Sequence, residues 1–239
     1  MTVDRLRPTA LGTILSLWAH PDDETYLAGA VMAAAVDAGQ RVVCVAATAG
    51  ELGTSDPEAW PPDRLGRLRR WEAAAAAAVL GVVDHRFLGL PDGGLAEVGP
   101  TAGARLVGAL VDEVQPDTIL TFGPDGMTHH PDHIAVGRWA LDAWDQRGRP
   151  CRLLQATTTV EHQARFGARY EEWAMYMTDE RPQGVPEDQA VLYVRAEGAD
   201  LDRKIAALAA MASQTSAAIA ADPGLYTAMC AEEAFVPAG

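Results

Sequence analysis

Two short clusters hold the residues that can do chemistry. The first is Trp18-Ala19-His20-Pro21-Asp22-Asp23-Glu24, and the second, far downstream, is His129-His130-Pro131-Asp132-His133. His20 and Asp23 stand three apart, which at the start of a helix puts both side chains on one face. One imidazole and one carboxylate there grip a single cation. A third ligand from the second cluster completes a two-histidine, one-carboxylate set with open coordination positions. Such a set suits catalytic zinc and also non-haem iron(II). Asp22 projects differently from Asp23, off the metal, where it can take a proton from an activated water. His130 and His133 are again three apart, and spacing allows either or both as ligands. A hydrolytic site needs an open position, so one is expected to bind metal and the other to act as an acid or oxyanion stabiliser. The plainer reading is that Asp22, Asp23 and Asp132 cap helices, since acids are favoured at helix starts. What outweighs it is where the two clusters fall in the fold.

The elements around the clusters follow from periodicity and punctuation. Residues 13–19, 41–47, 118–122 and 151–159 read as buried strands, with a short strand at 85–87 and an edge strand at 190–194. Residues 24–38, 63–80, 102–114, 133–146 and 201–211 read as helices; the alanine run at 73–78 has the highest helix propensity available, and Gly81 ends that helix. Residues 161–189 read as irregular, and nothing after Asp222 is assigned. Strands alternating with helices predict an α/β chain, a single domain over 1–239. It is a Rossmann-like, three-layer fold with a mostly parallel sheet and helices on both faces. In the usual doubly wound order the first and fourth strands are neighbours and flank the ligand crevice. His20 ends the first strand and the histidine-rich cluster follows the fourth, so the two clusters are expected to meet. No G-x-G-x-x-G follows the first strand and no P-loop occurs, which disfavours a nucleotide cofactor.

Composition narrows the partners. The chain of 239 residues carries 33 acids against 19 bases, a net charge of -14 that repels phosphate backbones and argues against nucleic acid. It has no polybasic patch and no apolar run of membrane-spanning length. Arg5 and Arg7 before an apolar stretch have the outline of a secretory leader. The stretch is short, lacks a small-x-small site and runs straight into the first cluster, so it reads instead as the first strand. Cys44, Cys151 and Cys230 are widely spaced without a C-x-x-C, the pattern of reduced thiols in a cytoplasmic protein.

The paired motifs resemble the PIG-L/LmbE-like family of zinc-dependent N-deacetylases. The similarity extends to Thr48-Ala-Gly50-Glu51-Leu-Gly53, Arg69-Arg-Trp-Glu72, Leu90-Pro91-Asp92-Gly93-Gly94-Leu95, Thr121-Phe122-Gly123-Pro124-Asp125-Gly126 and the late helix ending Ser213-Gln214. The resemblance implies His20, Asp23 and His133 as ligands to one Zn2+ per chain, with Fe2+ as the other candidate metal. It implies Asp22 as general base, His130 as assisting acid or electrostatic stabiliser, and Arg69 and Asp92 as contacts to the sugar or its attached group. Arg67 and Arg70 crowd the same turn as Arg69, so a solvated helix face is the competing expectation there. The implied substrate is a small N-acylated amino sugar, such as an N-acetylglucosaminyl conjugate, or an amide of a thiol–sugar conjugate; a homo-oligomer is compatible with the sequence. The chain departs from the family pattern at Thr128, where some members carry a tyrosine, at His129, a rival to His130, and at Met211, where a histidine is common. Two other classes stand beside the deacetylase: a non-catalytic metal- or sugar-binding module and an iron(II) oxygenase. The 161–189 segment, with Trp173, Tyr176 and Met177, is expected either to wall the substrate cleft or simply to cover the surface.

Overall fold

A computed structural model describes residues 5–239; the first four positions of the stretch weighed as a leader lie outside it. Ile14–Trp18 (β1), Val42–Ala46 (β2) and Thr118–Phe122 (β4) are buried at every position. Strands apolar on both faces are stable only between two covering layers, so these three become the middle of the sheet. With Asp84–Phe87 (β3), Arg152–Thr157 (β5), Leu192–Arg195 (β6) and Glu232–Pro237 (β7) they form seven strands in the order β3-β2-β1-β4-β5-β7-β6. β1 to β5 run parallel, and β7 is antiparallel to both of its neighbours. β1 and β4 pair directly, Ile14 against Thr118 and Ser16 against Leu120. Their last residues, Trp18 and Phe122, meet edge to face with centroids 4.9 Å apart. Both chemical clusters therefore leave the sheet from one aromatic contact.

The helices are α1 (Asp23–Asp37), α2 (Pro62–Leu80), α3 (Leu95–Val98), α4 (Pro100–Val114), α5 (Pro131–Gln146), α6 (Val160–Glu172), α7 (Gly198–Ala210), α8 (Ala212–Ala221) and α9 (Pro223–Met229). Three of them, α2, α4 and α5, begin on a proline one or two residues before the expected start. Proline at the first helical position has its φ preset and lacks only an N–H that would have no partner there.

Two expectations are corrected. The 161–189 segment is not irregular throughout. Thr159 caps α6 by accepting the His162 amide at 3.0 Å, and His162, Phe166 and Tyr170 follow at four-residue spacing along one face. The unassigned tail supplies α9 and then β7, which lies between β5 and the edge strand β6.

β7 also brings a carboxylate under the site. Glu233 and Lys204 of α7 form a wholly buried pair with Oε1 and Nζ 2.7 Å apart. Lys204 also donates to the Tyr26 carbonyl at 2.8 Å, while the Glu233 carboxylate accepts the Ala30 and Val31 amides at 2.7 and 2.8 Å. Tyr26 is the residue whose carbonyl Ala30 would normally use, so the pair inserts into the hydrogen-bond ladder of α1 and fixes its course. Breaking such a pair from one side strands a buried charge. Lys204→Met is expected to cost on the order of 3–5 kcal/mol in chemical denaturation, and adding Glu233→Gln to recover part of that loss.

Candidate metal centre and active site

The chain turns out of β1 into α1 within four residues, and Asp22 takes the strain. Its φ is +118°, a conformation that costs a non-glycine residue on the order of 1–3 kcal/mol. Arg69 holds it there. Far from lying on a solvated face, Arg69 is buried, while Arg67 and Arg70 are exposed. Its guanidinium donates to the carbonyls of Gly50 at 2.7 Å and Pro21 at 2.5 Å, and to Asp22 Oδ2 at 3.2 Å. Gly50 has a φ of +62°, and a Cβ there would lie 2.1 Å from Arg69 Nη1, so only glycine admits the arginine.

After β4 the loop returns at Gly126, whose carbonyl accepts from His133 Nδ1 at 2.9 Å. The Nε2 lone pair of His133 is thereby turned into the crevice. Phe122 stacks on the ring from behind at 4.2 Å. His130 caps α5: its Nδ1 accepts the Asp132 amide at 3.1 Å, so the neutral ring carries its proton on Nε2. His129 turns elsewhere, with Nδ1 3.6 Å from Glu180. It does not line the cavity, whereas Thr128, His130 and His133 do.

Three donor groups converge. His20 Nδ1 lies 3.1 Å from His133 Nε2, Asp23 Oδ1 lies 3.4 Å from His133 Nε2, and Asp23 Oδ2 lies 3.6 Å from His20 Nδ1. Tetrahedral zinc with bonds of about 2.0–2.2 Å sets its donors roughly 3.3–3.6 Å apart. His20, Asp23 and His133 are thus spaced as a candidate two-histidine, one-carboxylate set for a divalent cation. Behind it, His20 Nε2 is buried, 3.1 Å from Asp92 Oδ1 and 3.4 Å from Asp132 Oδ2, and aligned for a hydrogen bond to neither. His20, His130 and His133 also come close enough to share an ion, and so do His20, Asp92 and Asp132. Those carboxylates are already engaged: Asp132 accepts the Gly93 and Leu95 amides at 2.8 and 3.0 Å, and Asp92 accepts the Leu52 amide at 2.8 Å. They sit where outer carboxylates orient a ligating histidine. Asp92 thus lies against His20 as well as on the cavity wall. Asp132, expected at most to cap α5, instead ties α5 to the loop that starts α3; its place between the two histidines of the motif was the only signal.

The field at the centre is negative. Burial opposes charge on His20, yet the carboxylates of Asp132, Asp23 and Asp92 push its pKa up to about 12. Burial raises Asp22 to about 6 against the pull of Arg69, and raises Glu24 to about 8 with Asp22 adding to it. Against burial, the imidazoles of His133 and His20 hold Asp23 well below the usual carboxylate range. A divalent cation is the natural occupant of such a field.

Residues 15–144 match the family model for GlcNAc-PI de-N-acetylase. The chain belongs to the PIG-L family. Relatives of this PIG-L chain include a 1D-myo-inositol 2-acetamido-2-deoxy-alpha-D-glucopyranoside deacetylase of Thermomonospora curvata, 34% identical over 84% of this chain and 80% of its own length. The enzyme of that name from Kineococcus radiotolerans is 38% identical over 52% of this chain, a match that spans only 42% of the relative. Among solved structures, N,N'-diacetylchitobiose deacetylase from Pyrococcus horikoshii superposes with a TM-score of 0.67 at 21% identity, over 96% of this chain and 84% of that one; it shares the PIG-L fold.

Two variants test the centre by elemental analysis of protein purified without chelator. His133→Ala is expected to lose the metal that the wild type retains. Asp132→Asn, which leaves the inner donors in place, is expected to weaken metal affinity about 10–100-fold.

Proposed function

We propose that the protein is a metal-dependent hydrolase that removes an N-acetyl, or other N-acyl, group from a small amino-sugar conjugate. The observation that carries this reading is the convergence of His20, Asp23 and His133 with Asp22 held off the donor set by Arg69. Relatives named for deacetylation of an N-acetylglucosaminyl inositol support the substrate class. The residues that would carry this chemistry all sit on the single domain built on the seven-stranded sheet. The three free thiols fit a reducing compartment such as the cytoplasm, and none of the described helices is long and apolar enough to cross a membrane.

His20, Asp23 and His133 would hold one zinc ion, which when bound supplies a Lewis acid that polarises the amide carbonyl and lowers the pKa of water toward about 7. Asp22 accepts the proton of the attacking water; Arg69 keeps one of its oxygens oriented and leaves the other free. His130 offers its Nε2–H to the developing oxyanion, the part that a tyrosine plays where other family members lack Thr128. The C–N bond then breaks, and the proton passes to the leaving nitrogen, giving a carboxylic acid and a free amine. Arg69, which donates to two carbonyls and Asp22 and also lines the cavity, positions the base and stays within reach of the sugar or its attached group.

An oxygenase would use the same inner ligands but has no need of a buried base beside them. The test is release of acetate and amine from N-acetylglucosaminyl inositol by zinc-loaded protein. Asp22→Asn is expected to retain metal and lose about 10²–10⁴-fold in kcat, and His130→Ala about 10²–10³-fold. No acetate release from the wild type, or near-normal turnover by Asp22→Asn, overturns the reading.

A further inference from the structure

Far from the cavity, β3 is an open edge of the sheet. Its register with β2 runs from Asp84 against Val43 to Phe87 against Ala46, and the Leu88 amide continues it by donating to the Ala46 carbonyl at 3.0 Å. In a ladder, alternate residues bond to one side. The even-numbered residues therefore face β2, and the amides and carbonyls of His85 and Phe87 point outward. Among the described residues no backbone group bonds to them from that side. An edge left open in this way is a template for another chain. β3 contains neither a proline nor a bulge that would close it, and its two charges are opposite in sign.

The surroundings of the edge differ on its two faces. Asp84 and Arg86 share one face, where Arg86 pairs with Asp84 at 2.6 Å and with Glu113 of α4 at 2.8 Å. Val83, His85 and Phe87 share the other, with the His85 and Phe87 ring centroids 4.8 Å apart. Arg70 of α2 lies over the Phe87 ring at 4.3 Å, so this is the face that α2 covers. Val83, between α2 and β3, is 97% exposed. On α2 itself Trp71, Ala74, Ala75, Ala78 and Val79 are all exposed, Trp71 at 78%, and their three- and four-residue spacing makes them one apolar stripe. An apolar helix face that leads through Val83 into an unpaired strand is a surface made for a partner.

The edge is complementary to itself. Antiparallel pairing about His85 sets that residue against its own copy as a hydrogen-bonded pair, and the outward amides and carbonyls are exchanged. The same register puts Val83 opposite Phe87 and Asp84 opposite Arg86, each twice by symmetry. Apolar and opposite-charge pairs of this kind stabilise a ladder. Burial lowers the His85 pKa to about 4, so the two imidazoles meet uncharged at neutral pH. A strand of this length is too small an interface on its own. The two-fold axis also sets the α2 stripes antiparallel on one face, where the alanines admit close approach.

We propose that two copies of this chain associate through the β3 edge and the Trp71–Val79 face of α2, joining their sheets into one. The inference is independent of the deacylase reading, and its test measures mass rather than turnover.

The test is sedimentation of the intact protein over a range of concentrations. The wild type is expected to be a dimer. Trp71→Lys/Val83→Lys, at two exposed positions, is expected to raise the dimer dissociation constant on the order of tenfold or more. His85→Cys tests the register. The Cα atoms of a hydrogen-bonded antiparallel pair lie about 5.5 Å apart, within disulfide reach, so diamide is expected to convert this variant to a covalent dimer. The wild type, with Cys44 and Cys230 buried and Cys151 away from the edge, is expected to give none. A wild type that stays monomeric at every concentration overturns the inference. So does a dimer that withstands Trp71→Lys/Val83→Lys, or one in which His85→Cys forms no cross-link, since either result places the contact elsewhere.

Discussion

The structure depends on a concentration of buried carboxylate at the C-terminal ends of β1 and β4. Asp23, Asp92 and Asp132 crowd the His20 imidazole, Asp22 and Glu24 stand beside them, and Arg69 is the guanidinium that pairs with Asp22. Burying like charges together is costly unless positive charge sits among them. The fold meets that demand in layers. Backbone amides of the loop before α3 hold Asp132, the Leu52 amide holds Asp92, and Arg69 faces Asp22. What is left over, between Asp23 and two histidine nitrogens, is a place for a cation.

Each side chain of the candidate site is positioned by groups distant from it in the chain. Asp22 is forced to positive φ and kept there by an arginine from α2, which reaches it only because residue 50 has no Cβ. His133 is aimed by the Gly126 carbonyl and backed by Phe122, whose other neighbour is Trp18. α1 carries Asp23 at its first position and is pinned seven residues on by Glu233 from the last strand. The last strand therefore braces the helix that carries Asp23.

The cavity is divided in character. One end has strained backbone, buried charge and open nitrogen lone pairs; the other has thioethers and aromatic rings whose polar partners lie inside the protein.

The sequence by itself determined the layers, the parallel core of the sheet and the meeting of two clusters. Strands apolar at every position, as in Ile14–Trp18 and Thr118–Phe122, have one stable environment, and the right-handed connectivity of such sheets makes the first and fourth strands neighbours. The candidate ligand types stand out for the same reason, since a histidine and acids at the end of a buried strand have no use in a core. Only the tertiary structure decided which nitrogen of each histidine faces the crevice, that His129 turns away, that Arg69 serves Asp22 and that Asp132 stands behind His20. Those facts hang on contacts between residues distant in the chain, such as His133 on Gly126 set against Asp132 on Leu95, that no local spacing encodes. β7 escaped the reading because its neighbours come from distant parts of the chain. α6 escaped because its apolar face is aromatic and histidine rather than aliphatic, a pattern that makes sense only once the cavity it faces exists.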